Sequence, residues 1–461
     1  MTAGAQPAVT GTVANTTRVE AWSYFQPKLD PSSLTPGVIG DPDYVFVGNR
    51  SELGVKVDGS SFDLSGGFNY VRLENLPDDA IGPGGLGSGA FYFAASGINY
   101  SYQLYLSELT LRIKSADHRT SLTIGRMPFT SGGESVAPNA SLETLKTERL
   151  HSRLIGNFEW SLYQRRFDGA RFDRDGTQWH VNAAAFVPTQ GGYEESTNLS
   201  MPKVQVGSVS FTRKAATAEY QVFGYGYRDR REMAAVVDNT GSVDRPVDIT
   251  IATVGGSYAR VRPGRSGEMD VVAWGAVQAG DWYGRSHRAA SAAIEGGHRW
   301  TRHAGRPWLR AGYLWASGDA DGDDERHGTF FQMLPSSRKY ALSSVYAQMN
   351  LRDLFAQLQF EPRRFSCRIE VHALHLASGA DLWYQGSGAT ASKDRFFGYS
   401  GRGAGGETSL GSVIEGAIDV PIIRHWSVSS YAGVMSSGGA VRQSFTDRRL
   451  IFWAIDNVVR F

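Results

Sequence analysis

The 461 residues carry 47 Lys plus Arg against 46 Asp plus Glu, so charge balance gives no whole-chain case for binding nucleic acid or an anionic membrane surface. A single Cys excludes an intrachain disulfide, and the ten His show no zinc-ligand spacing with it. Aromatics at 12% and 54 Gly, with negative mean hydropathy and no apolar run of about 18 residues, exclude a helical membrane protein and leave strands that are apolar on one face.

Met1 to Gln6 has no charged stretch followed by an apolar one, so an export signal is expected to be absent from this chain. Residues 1–16 read as a flexible segment and 17–461 as one domain. From Tyr44 to Val57, Val45, Val47, Leu53, Val55 and Val57 alternate with Arg50, Glu52 and Lys56. Asp58-Gly59-Ser60 then makes a tight turn. Glu108 to Lys114 sets Leu109, Leu111 and Ile113 against Glu108, Thr110, Arg112 and Lys114.

Long Gly/Ser/Asp-rich loops are expected at about 76–100, 131–152, 188–201, 229–245, 318–340 and 378–408, on the cell-surface side. Inside the second, Ser141 to Leu150 has helical spacing, a Ser cap and Glu143 in its first turn. A helix between strands either folds into the lumen as a constriction or caps the rim, and the sequence leaves both open. Trp179 to Val187 alternates Val181, Ala183 and Ala185 with His180 and Asn182.

Asp319 to Glu325 is the densest acidic cluster, but it fails the EF-hand loop, which would place Asp324 at its glycine position and Phe330 at its bidentate position. It reads as a solvated loop, with calcium binding as the alternative. In Phe365 to Ala373, Phe365, Cys367, Ile369 and Val371 share the apolar face against Arg368, Glu370 and His372. His372 and His375 face opposite ways, so they share no metal. His425, Ser427 and Ser429 lie close enough in sequence for a hydrolytic dyad, although Ser and His meet often by chance in a Ser-rich chain. No catalytic residue, metal or cofactor is assigned. In the last strand, Ile451, Trp453, Ile455 and Val459 share the parity of the C-terminal Phe461.

These elements predict an all-β fold, a single transmembrane antiparallel barrel of about 18 strands with long outer loops and short periplasmic turns. Parity places Arg50, Arg112, Arg171, Arg310 and Arg368, with Glu52 and Glu370, on the face opposite lipid. Guanidinium groups along a lumen suit the passage of carboxylates, because they replace hydration without tight binding. Interior pairs such as Arg50 with Glu52 and Arg368 with Glu370 equally serve to hold a barrel's shape.

The segments Gly125-Arg126, Arg149-Leu-His-Ser-Arg-Leu-Ile-Gly156, Trp160 and Arg166-Phe-Asp-Gly-Ala-Arg171 resemble the order of motifs in the alginate-export family. His327 to Tyr340 followed by Asn350-Leu-Arg-Asp-Leu354 resembles a second block of that family. The similarity runs from about residue 43 to the C-terminus. It implies an eighteen-stranded barrel in the bacterial outer membrane that passes an anionic polysaccharide through an arginine-lined constriction. The partners then expected are that polymer or a small anionic solute, outer-membrane lipid and lipopolysaccharide, and a periplasmic secretion scaffold, with no nucleic acid and a monomeric state. A general or uptake porin for small solutes and a conduit barrel enclosing a partner protein are the competing readings.

Overall fold

The computed structural model describes residues 7–28, 41–78, 80, 97–191, 199–232, 236–243, 246–336, 339–343, 345–390, 398–446 and 449–461. Eighteen strands form one antiparallel sheet in chain order. They are β1 (Ala8–Ser23), β2 (Asp43–Asp58), β3 (Phe62–Glu74), β4 (Ser101–Lys114), β5 (Thr120–Met127), β6 (Phe167–Asp175), β7 (Trp179–Pro188), β8 (Val204–Ala215) and β9 (Ala218–Asp229). They continue as β10 (Ile249–Pro263), β11 (Glu268–Trp282), β12 (Arg285–Arg299), β13 (Trp308–Ala316), β14 (Leu351–Phe360), β15 (Ser366–His375), β16 (Ser409–Ile423), β17 (Trp426–Ser437) and β18 (Leu450–Arg460).

The sheet closes on itself because β1 also pairs with β18, from Ala14 opposite Arg460 to Ser23 opposite Ile451. Two backbone bonds finish the seam: Val13 N–H donates to Phe461 O at 3.0 Å, and Phe461 N–H returns to Val13 O at 2.8 Å. Closure leaves no free sheet edge, which is the condition for strands to cross a bilayer. The expected flexible segment 1–16 is corrected here. Residues 8–16 belong to β1: they pair with β2 from Ala8 opposite Asp58, and from Val13 onward they also meet the last strand. Residues 1–6 lie outside those described.

Alternation sets the two faces. Leu104, Leu53 and Ile294 are 65%, 59% and 63% exposed, an arrangement that fits lipid, since burying such a side chain is worth about 1.5–3 kcal/mol. Val45, Val55, Leu109, Ile113 and Ile451 share that outer surface, and Phe365, Ile369 and Val371 do so around the half-buried Cys367.

One end of the barrel carries tight turns, as at residues 59–61, 216–217 and 424–425. At the other end the long connections are 24–42, 75–100, 128–166, 189–203, 230–248, 317–350, 376–408 and 438–449, interrupted by the short β11–β12 turn. This matches the six loops expected from composition and adds 24–42 and 438–449. The expected loops near 76–100, 188–201, 229–245, 318–340 and 378–408 each lie partly outside the described residues.

A core sits inside the barrel rather than between layers. Leu142, Leu145, Leu154, Phe158 and Tyr163 of the 128–166 connection and Phe330, Phe331 and Leu334 of the 317–350 connection are fully enclosed. The two connections hold each other through Leu334 N–H to Leu154 O and Gly156 N–H to Leu334 O, both 2.8 Å.

Candidate functional site

The luminal site starts from a helix, α1 (Ala140–Arg149). The sequence suggested Ser141 as its cap, but Asn139 performs that role, accepting from Leu142 N–H at 2.9 Å. Asn139 Nδ2 also donates to Ala216 O in the β8–β9 turn at 2.7 Å, so the 128–166 connection crosses the lumen to the turn end. Lys146 pairs with Glu219 of β9 at 2.7 Å and Arg149 with Glu295 of β12 at 2.6 Å. Both acids project inward from the wall, which makes α1 a luminal insert rather than a cap over the loop-end rim.

Among the described residues, three cavities beside the insert lie in the turn-end half. The first, about 570 Å³, is lined by Arg18, Arg50, Lys339, Arg368 and Arg460 with Glu159, Asp419 and Asp456, and by Trp160 and Tyr431. Five cations thus face three carboxylates. Burial pushes Lys339 below its ordinary value, while the four guanidiniums stay charged. The second cavity, about 840 Å³, shares Arg50, Glu159 and Arg460 with the first and adds Arg166, Glu52, Lys56, Asp58 and Glu108. The third, about 340 Å³, holds Arg112, Arg171, Lys214 and His180 with Glu108, Glu134, Asp173 and Asp175.

The predicted site residues therefore separate. Arg50 and Arg368 share the first cavity. Arg50 ion-pairs with Glu52 and donates to Ser161 O at 3.1 Å, and Arg368 Nε stands 3.7 Å from Glu370. Arg112 and Arg171 line the third; Arg171 is held by Asp173 at 2.8 Å, while Arg112 is 4.0 Å from Asp63 and has a half-exposed side chain. Arg310 is different. It is sealed against Asp270 and Glu295 with 1% exposure and lines none of these three cavities, so its placement on a solute path is corrected to a wall-locking role. Parity showed its face, but two inward acids at its own level enclose it.

Arg18 escaped the sequence reading. It donates from Nε and Nη2 to Asp456 at 2.6 and 2.7 Å and lies 4.0 Å from the Trp160 ring centre. Placed in the barrel seam, directly opposite Asp456, it depends on a β1–β18 pairing between chain ends that no local pattern predicts. The two arginines of ambiguous parity also resolve. Arg126 shares the outward parity of Leu122 and Ile124 and pairs with Asp168 at 2.7 Å, while Arg166 turns into the second cavity and donates to Ser107 O at 2.9 Å.

The other candidates take no part in the lumen's charge balance. His425 Nδ1 is bound at Arg460 O, 2.9 Å away, and its ring stacks on Phe461, while Ser427 faces the first cavity. In the acidic loop, Asp321 and Asp324 accept from the Asp323 and Arg326 amides at 3.1 and 2.7 Å, and the tip is solvent-exposed.

A closed barrel with inward loops and charged luminal cavities is porin architecture, and the sequence adds the family. The alginate export family model matches residues 144–449, well over half of the chain. The chain belongs to the alginate export family. Among solved structures, this alginate-export barrel is similar to Pseudomonas aeruginosa OccK2 (OpdF), at TM-score 0.59 and 9% identity over 98% of this chain and 97% of that one. OccK2 in complex with glucuronate gives 0.58 at 9% identity, covering 98% of both chains. A BenF-like porin from Pseudomonas fluorescens Pf-5 gives 0.58 at 8% identity, again over 98% of both. No curated protein matches the sequence. The protein is a porin-like channel of the bacterial outer membrane.

Proposed function

We propose that this channel passes an anionic sugar, a uronate-bearing polysaccharide or its oligomers, by passive diffusion through the arginine-rich part of its lumen. The observation that carries this reading is the excess of cations in the 570 Å³ cavity, where Arg18, Arg50, Arg368 and Arg460 converge beside Trp160. A planar guanidinium binds carboxylate through two parallel hydrogen bonds, and several such groups in series let the anion step from one to the next. Trp160 and Tyr431, packed edge to face with ring centres 4.6 Å apart, add aromatic surface of the kind a sugar ring rests on. The family membership favours a polysaccharide.

Planar-bilayer recording tests it: under a salt gradient the reversal potential reports anion preference, and polyuronate oligomers added to either side should block the current. Cation preference, or no block, would overturn the reading.

A second reading, uptake of small anionic solutes, is favoured by how much of the lumen the 128–166 and 317–350 connections occupy. The OccK2 complex with glucuronate concerns a monosaccharide of this chemistry. Block by the monomer but not by oligomers would select this alternative.

A further inference from the structure

Glu370 on β15 and Glu415 on β16 are direct cross-strand partners. Like charges directly opposite on a sheet repel, and here each residue is only 2% exposed. His372, two residues further along β15 on the same luminal face, is 3% exposed, and ligand atoms from all three residues lie within 4.8 Å of one another. Its Nδ1 sits 3.0 and 3.1 Å from the two carboxylate oxygens of Asp353 on β14. That fixes the ring and leaves Nε2 buried with no hydrogen-bond partner among the described residues.

A carboxylate on one imidazole nitrogen, with the other nitrogen vacant, is how proteins orient a metal-binding histidine. One further unpartnered polar atom lies alongside. The Leu342 and Ser343 amides donate to Glu415 at 2.6 and 3.1 Å, and Ser343 Oγ is buried without a partner among the described residues. Arg368, 3.7 Å from Glu370, is a nearby cation, but it does not reach the vacant nitrogen, and among the described residues Glu415 is met only by the two amides.

We propose that Glu370, His372 and Glu415 bind a divalent cation of the zinc type, with Asp353 as the positioning residue. Two carboxylates and an imidazole suit Zn²⁺, whereas calcium and magnesium select all-oxygen shells. The ion cancels the repulsion between the paired glutamates and pins the 342–343 segment of the inward connection to the barrel wall. The proposal does not depend on what the channel passes.

The full barrel, purified in detergent and stripped with chelator, is incubated with Zn²⁺, gel-filtered and assayed for metal by elemental analysis; Co²⁺ in its place gives a visible absorption band. One zinc per chain is expected, lost in His372→Ala and Glu415→Gln, with affinity lowered ~10–100-fold in Asp353→Asn. Heat-modifiable gel mobility shows whether each variant is folded. Should His372→Ala fail to fold, Glu370→Gln, which keeps the volume and removes the charge, carries the test. Wild-type protein that retains no zinc, or folded variants that retain as much as wild type, would overturn the assignment.

Discussion

Arg149 of the luminal helix and Glu295 of the barrel wall meet at 2.6 Å with both side chains almost wholly enclosed. Glu295 also accepts from Arg153 at 2.7 Å and from Arg310 at 3.2 Å, so one carboxylate holds three guanidiniums, two of them on the insert. The insert's position in the lumen depends on this wall residue more than on its own helical propensity, because a ten-residue helix is marginal in isolation.

Removing that carboxylate strands buried charge, which costs about 3–5 kcal/mol. Glu295→Gln is therefore expected to release the 128–166 connection from the wall and to raise single-channel conductance in folded barrels. Arg149→Met should have a smaller effect, since Arg153 and Arg310 still engage the acid. Equal conductance in both variants and wild type would show that the insert does not limit the current.

Charge reversal locates the selective region. Exchanging Arg50 and Arg368 together for Glu turns five cations against three carboxylates into three against five in the 570 Å³ cavity. The reversal potential should change sign. Arg112→Glu, in the cavity where acids already outnumber Lys and Arg, should leave the sign unchanged. If Arg112→Glu alone reverses selectivity, the controlling region is the third cavity.

The barrel itself was legible because strand periodicity is a local property: Val45, Leu53, Leu109 and Ile451 face outward as their parity predicts. The site was legible only in part, for a physical reason. Parity fixes which face an arginine takes, but neither its depth nor its partner across the lumen. Arg310 and Arg368 look alike in sequence, yet two wall acids enclose Arg310 while Arg368 borders a cavity. Arg18 lies on a strand whose partner is at the other end of the chain, and Arg149, Arg153 and Lys339 come from inward connections, where no strand parity exists to read. The meeting of Glu370 with Glu415 needed the β15–β16 register, set across a 33-residue connection at 376–408.

Acid should loosen the insert. His151, just past α1, is held down to about 3 by burial and then by Lys339 and Lys146. Its folded value lies below the ordinary value of about 6.5. The stability it contributes is thus fully present above pH ~6.5 and is lost progressively as pH falls toward 3. Protease susceptibility of the 128–166 connection, or gating events in bilayer recordings, should increase between pH 7 and 4. His151→Gln, which cannot charge, should flatten that part of the profile; an unchanged profile would assign the response to another group.

The C-terminal residue offers a test that separates assembly from conduction. Phe461 exchanges two backbone bonds with Val13, which any residue could make, while its side chain is 71% exposed and stacks only on His425, 5.2 Å between ring centres. It faces away from all three cavities, on the outward parity of Ile451 and Trp453. Phe461→Ala keeps the seam's hydrogen bonds and removes the apolar terminus of the last strand. The yield of folded barrel in the outer membrane should fall, whereas the channels that do insert should keep wild-type conductance and ion preference. Altered conductance in inserted Phe461→Ala channels would mean that this side chain shapes the lumen through the β1–β18 seam.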